Sequence, residues 1–158
     1  MIFESRFVVA APLDAVDQFH RRQSSLVTLT PPPIVVRIDN AASDGKRVAF
    51  TLWIGPARVR WVAQMDHIGP TGFVDTQLVG PYASWMHQHR FRPIDETTTE
   101  VVDRIEAKLA RDPVRFAAGL AMWLGLPALF QYRALATRRA LESRGGRDGR
   151  RRAIPRGL

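Results

Sequence analysis

Between Trp85 and Phe91, in the stretch GPYASWMHQHRF, the chain places Trp85, His87, His89 and Phe91 at every second position. On an extended strand residues two apart point to one face, so two imidazoles and two aromatic rings would share a wall. Such a face supports three kinds of chemistry. With a carboxylate, two imidazoles make the ligand set of many iron and zinc sites. A carboxylate that orients an imidazole also makes a general acid or base, and histidines hydrogen-bonded within a sheet can simply be the polar part of a wall. The carboxylate in question is Asp103. A hairpin turning at Asp95, Glu96 and Thr97 sets His89 opposite Asp103, His87 opposite Ile105 and Phe91 opposite Val101, and opposite residues share a sheet face. A slip of one residue would separate them. Against a metal, a cupin-like motif would carry its glutamate a few residues after the second histidine, whereas the next acid here is Asp95, in a turn. No metal and no cofactor is assigned.

The elements that must hold this face follow from periodicity and breakers. Ile2 to Val9 is rich in β-branched and aromatic residues and reads as a strand, and Pro12 with LDAVDQFHR then starts a helix with proline near its first turn. Pro31 to Pro33 end the helical region. Six strands follow, at 34–39, 47–54, 57–68, 73–79, 82–94 and 98–109, separated by short Gly, Pro, Asn and Asp turns. Short loops favour antiparallel neighbours. After Asp112 and Pro113 the spacing becomes helical, with Phe116, Leu120 and Trp123 on one face of a long C-terminal helix bent near Gly125 and Pro127. Its apolar stretch, Phe116 to Phe130, spans 15 residues and is broken by Gly and Pro, short of the ~20 that cross a bilayer. No transmembrane segment is expected.

Composition narrows the function classes. A chain of 158 residues with 46% hydrophobic content is of single-domain size and can bury a sizeable core. The formal charge of +8 is concentrated in residues 143–158, which hold six arginines and one aspartate. Domain and tail therefore separate at 142, with the Arg/Gly-rich tail expected to be disordered. The tail leaves open a contact with nucleic acid or an anionic surface; elsewhere the charge is ordinary. With no cysteine, disulfides, thiolate metal sites and a cysteine nucleophile are excluded. Glu4 near the start and the lack of a basic region before a long apolar run argue against a signal peptide, so a cytoplasmic protein is expected. There is no phosphate-binding glycine loop, nucleophile elbow, HExxH or dinucleotide fingerprint.

Several separated motifs occur in an order that resembles one family. Phe19 and His20, SLVTLTPPP from Ser25, FVDTQLVGPYASWMHQHRF from Phe73 to Phe91, Asp103 within VVDRIE, and LFQYR from Leu129 to Arg133 are similar to a bacterial, polyketide cyclase/dehydrase-like branch of the START-like helix-grip superfamily (SRPBCC). The resemblance spans about residues 1–141. It implies an α+β helix-grip fold, in which a curved antiparallel sheet of six to seven strands wraps a long C-terminal helix and leaves a cavity for a hydrophobic or aromatic small molecule.

The expected cavity wall comprises Trp61, Trp85, His87, His89, Phe91 and Asp103 from the strands, with Phe116, Leu120 and Trp123 from the helix. Binding of a lipid, aromatic or polyketide-like ligand is the leading expectation. The alternative is a cyclase or dehydratase with His89 as base, oriented by Asp103. Asp75 and Gln77 alternate with apolar residues and read first as a solvated strand face.

Overall fold

The computed structural model describes residues 1–41 and 46–152. Its elements are β1 (Ile2–Val9), α1 (Leu13–Arg21), α2 (Gln23–Thr28), β2 (Val35–Ala41), β3 (Arg47–Ile54), β4 (Ala57–Gly69), β5 (Gly72–Val79), β6 (Tyr82–Asp95), β7 (Thr98–Leu109) and α3 (Pro113–Arg152). The expected disorder of the basic tail falls on residues 153–158 and on side chains from 143 to 152, all outside this description.

Seven strands form one antiparallel sheet in the order β1-β7-β6-β5-β4-β3-β2. Hairpins join every neighbouring pair from β2 to β7, as the short turns require. Only β1 is placed by a long connection: α1 and α2 carry the chain from one sheet edge to the other. The β6–β7 register sets His89 opposite Asp103, His87 opposite Ile105 and Phe91 opposite Val101, as expected; the turn itself is shorter than expected, Glu96 and Thr97 with Asp95 paired to Thr98, and a bulge between Pro93 and Asp95 makes up the difference. Bulges interrupt β4 against β5 between Val62 and Ala63 and again between Asp66 and Gly69, and bulges bend a strand and add twist.

Helix α3 starts where chemistry allows it. Asp112 Oδ1 accepts the Arg115 amide at 2.9 Å, a side-chain cap with Pro113 in the first turn. The helix continues through Gly125 and Pro127. By length and composition Pro113–Glu142 would suffice for a membrane span, a longer apolar run than the sequence reading allowed. In this fold its Gly119, Leu126, Phe130, Thr137 and Leu141 are buried, a spacing of three to four residues or its double that marks one face. Two polar contacts pin it to the sheet: the Tyr82 hydroxyl donates to the Gly119 carbonyl at 2.9 Å, and Arg115 donates to the Tyr82 carbonyl at 2.7 Å.

The core divides into two clusters. One, around Phe7, Val16, Phe19, Phe91, Val101 and Leu141, packs α1 and the end of α3 on the sheet. The other, around Phe50, Trp61, Tyr82, Trp85, Ile105 and Phe130, lies under the middle of α3. The histidine strand runs between them.

Gly72 opens β5 with φ 139°, and a Cβ there would run into the His89 carbonyl oxygen. Gly55 has φ 58° but open space around its missing side chain. Urea unfolding should therefore show Gly72→Ala losing about 3 kcal/mol or more, because backbone must shift beside the histidines, and Gly55→Ala losing only about 1 kcal/mol from its backbone conformation.

Candidate functional site

Three adjacent strands bring four ionisable groups together. Asp75 on β5 lies opposite His87 on β6, and Asp103 on β7 lies opposite His89 on β6. His87 Nε2 donates to Asp103 Oδ1 at 3.1 Å, and His89 Nε2 donates to Asp75 Oδ2 at 3.1 Å. The aligned hydrogen bonds thus run diagonally, each histidine bonding the carboxylate its neighbour faces. Two contacts between directly opposed residues close the ring: His87 Nδ1 is 3.3 Å from Asp75 Oδ2 and His89 Nδ1 is 2.8 Å from Asp103 Oδ1. The second of these lies off the N–H direction, so His89 Nδ1 has no hydrogen bond. Side-chain length explains the crossing, since an imidazole reaches past its own partner to the next strand.

Aromatic rings hold the pair in place. The two imidazole centroids are 3.8 Å apart, Phe73 stacks on His89 at 4.2 Å, and Phe130 of α3 meets His87 edge-on at 5.6 Å. His20 on α1 comes in from the side, its ring 6.4 Å from His89, with Nδ1 donating to the Val16 carbonyl at 2.9 Å. Its Nε2 is left without that constraint.

Burial and charge then set the protonation states. For His89 burial favours the neutral ring, but the carboxylates of Asp103 and Asp75, one against each ring nitrogen, outweigh it and push its pKa up to about 9. Asp103 is buried and Asp75 half-buried, and loss of water alone would raise both; the two histidines reverse the effect and hold both carboxyls well below the usual range. His20 has no such partner, and burial pushes it down to about 4. Arg133 of α3 is also lowered by burial, against the pull of Asp103 and Asp75. Its Nε donates to the Leu29 carbonyl at 3.3 Å, and its guanidinium lies 5.0 Å from the Phe130 ring centre.

These groups form one end of a cavity of about 510 Å³ between the sheet, α2 and α3. Phe50, Leu52, Val59, Trp61, Trp85, Met122 and Leu126 supply its apolar wall; His20, Asp75, His87, His89 and Arg133 supply polar groups. Of the residues singled out in the sequence, Trp61, Trp85, His87 and His89 line the cavity. Asp103, only 4% exposed, sits behind the histidines rather than on the wall. Phe91, at 1% exposure, belongs to the core beside α1.

The helix residues need correction. Phe116, Leu120 and Trp123 do not line the cavity; Phe116 is 43% exposed, and Trp123 packs edge-on against Phe3 of β1. Ala118, Met122, Gly125 and Leu129 face the cavity instead. Both sets have spacing of three and four residues, so periodicity alone cannot tell which face turns inward.

Asp75, His20 and Arg133 were not assigned a role from the sequence. Asp75 read as part of a solvated face because its alternation matches one; His20 and Arg133 stood inside quoted motifs without a partner to interpret them. Gln77 does not join the site: its side chain bonds both the amide and the carbonyl of Tyr82, tying the turn before β6.

No family model matches the sequence, and no curated protein does. Solved structures do match. A START superfamily protein from Mycobacterium smegmatis has TM-score 0.65 at 12% identity, over 90% of this chain and 97% of that one. The Zhui aromatase/cyclase from Streptomyces sp. R1128 has TM-score 0.62 at 17% identity, over 100% and 99%. This chain has the START-like helix-grip fold. The di-domain ARO/CYC BexL matches with TM-score 0.63 at 15% identity, over 88% of this chain and 45% of that longer one. Likeness at such identity concerns the START-like fold and not the reaction.

The opposed histidines make stability of this START-like domain fall on both sides of pH 6.5. His89, raised above its unfolded value, stabilises fully below about 6.5 and loses that contribution as pH rises through about 9. His20, lowered, destabilises as pH falls from about 6.5 through about 4, because the unfolded chain takes up its proton first. Thermal melts across pH should peak near pH 6.5, with His20→Gln flattening the acid limb between pH 6.5 and 4 and His89→Gln the alkaline limb.

Proposed function

We propose that the chain binds a hydrophobic or aromatic small molecule, lipid or polyketide-like, with its apolar body against Trp61, Phe50 and Leu126 and a polar end at the histidines. The observation that carries this is the asymmetry of the cavity: about 510 Å³ of mostly apolar lining with its ionisable groups at one end, the usual form of a site that orients a ligand. Burying ~200 Å² of apolar ligand surface there contributes roughly 5 kcal/mol. A protonated His89 and the half-buried Arg133 favour a ligand whose polar end accepts hydrogen bonds, such as a carbonyl, enolate or phenolate oxygen. The solved aromatase/cyclases of the same fold support a polyketide-like compound as one such ligand.

One observation favours a second reading, a cyclase or dehydratase. His89 is raised and His20 lowered, and carrying opposed protonation states is what acid–base chemistry needs. In that reading His89 is the acid, not the base expected from the sequence, with Asp75 and Asp103 orienting it, and His20 is the base.

Native mass spectrometry of the purified full chain, followed by solvent extraction, tests binding. A retained compound of this class is expected. Trp61→Ala should weaken its affinity about 10- to 100-fold, whereas Trp123→Ala, on the other side of α3, should leave it unchanged. Equal effects of the two changes would remove the cavity assignment. If the second reading holds, His89→Gln lowers turnover about 100-fold or more while affinity for the apolar ligand is retained.

A further inference from the structure

The ring of contacts at the histidines poses a proton-counting problem. Each imidazole has a carboxylate oxygen against both of its nitrogens: His87 at 3.1 and 3.3 Å, His89 at 3.1 and 2.8 Å. A neutral imidazole has only one N–H, so its other nitrogen presents a lone pair to a carboxylate. Protonating His89 alone still leaves a lone pair of His87 against a carboxylate, and protonating both rings would set two cations 3.8 Å apart. A metal ion resolves both difficulties, because it is bound by lone pairs.

We infer that Asp75, His87 and His89 form a binding site for a divalent transition-metal ion, with Asp103 as the carboxylate that orients both histidines. His87 Nδ1 and His89 Nε2 lie 3.3 and 3.1 Å from Asp75 Oδ2, close to the ~3.0–3.4 Å between neighbouring ligands around an ion with bonds of about 2.1 Å. One ligand atom from each of the three residues lies within 4.8 Å of the others. Ligation through those atoms leaves His87 Nε2 and His89 Nδ1 as the N–H groups; His87 Nε2 donates to Asp103 Oδ1 at 3.1 Å, and the same oxygen lies 2.8 Å from His89 Nδ1, where a small turn of the ring would align it. Metal-bound histidines have this second partner as a rule. Asp103 is buried behind them, while the three ligands line the cavity, so the remaining coordination positions open toward the cavity.

Two nitrogens and one carboxylate oxygen with open positions suit Zn²⁺ or Fe²⁺ and not Ca²⁺ or Mg²⁺, which take oxygen ligands. The sequence argument against a metal considered Asp103 and a following acid; the carboxylate that completes the set comes from β5. This inference stands apart from what fills the apolar part of the cavity.

The test uses the metal alone. Chelator-stripped full-length protein, titrated calorimetrically with Zn²⁺ and optically with Co²⁺, should bind one equivalent with micromolar or tighter affinity, and Co²⁺ should give visible bands of low-coordinate geometry. His87→Gln, His89→Gln and Asp75→Asn should each weaken binding at least 100-fold. Asp103→Asn should weaken it 10- to 100-fold, and His67→Gln should leave it unchanged. Circular dichroism checks folding of each variant. Should one fail to fold, imidazole NMR of the unaltered protein replaces it: Zn²⁺ must shift His87 and His89 and leave His67 in place. Absence of stoichiometric binding overturns the inference, as does binding that survives loss of both His87 and His89, or a Zn²⁺ shift confined to His67.

Discussion

Two carboxylates inside the fold, Asp103 buried and Asp75 half-buried at the cavity wall, cannot stand without partners, and this requirement organises the middle of the molecule. Removing a carboxylate from water costs several kcal/mol unless hydrogen bonds and opposite charge replace the lost hydration. Asp75 and Asp103 obtain both from His87 and His89, each carboxylate touching both rings, with Arg133 adding opposite charge from α3. That works only if β5, β6 and β7 keep one register. A slip of either outer strand would leave a buried charge facing an apolar ring, so the quartet and the sheet alignment support one another. Gly72 belongs to the same constraint, since β5 approaches β6 too closely for a side chain beside His89.

The quartet also divides the interior. On one side the rings of Phe7, Phe19 and Phe91 fill the space under α1 and the end of α3. On the other, Trp61, Trp85 and Phe130 line a cavity. Histidine at two successive inward positions of β6 places polar atoms at that boundary, where the fully packed core gives way to open volume. The cavity therefore joins aromatic walls to a charged end, a form that suits recognition of an amphipathic molecule.

Much of the fold was legible in the residues. Turn chemistry at GP, GPTG and DETT delimited the strands, and the place of the DETT turn gave the β6–β7 register at the histidines, although a bulge between Pro93 and Asp95 and a turn one residue shorter than expected produce it. Local signals of this sort act over a few residues, and hairpins are local. The site was legible only as far as that hairpin extends. His87, His89 and Asp103 are joined by it; Asp75 pairs through another hairpin whose two-residue alternation resembled a solvated strand. His20 and Arg133 arrive on helices, whose placement depends on packing. The helical face was misread for a related reason: Phe116, Leu120 and Trp123 repeat with the same period as the true cavity set, and the larger side chains suggested the wrong one.

By itself the sequence determined the class of fold, the order of its elements, the alternation that aims two histidines one way and the absence of thiol chemistry, because these depend on residue type and short-range spacing. Only the tertiary structure decided which face of α3 turns toward the sheet, which carboxylate each histidine bonds, and that three further polar groups converge on the cavity. Those outcomes depend on the relative placement of elements separated by tens of residues. The free energy that selects it, apolar burial together with compensation of buried charge, is a property of the assembled sheet and helix and has no counterpart in any single segment.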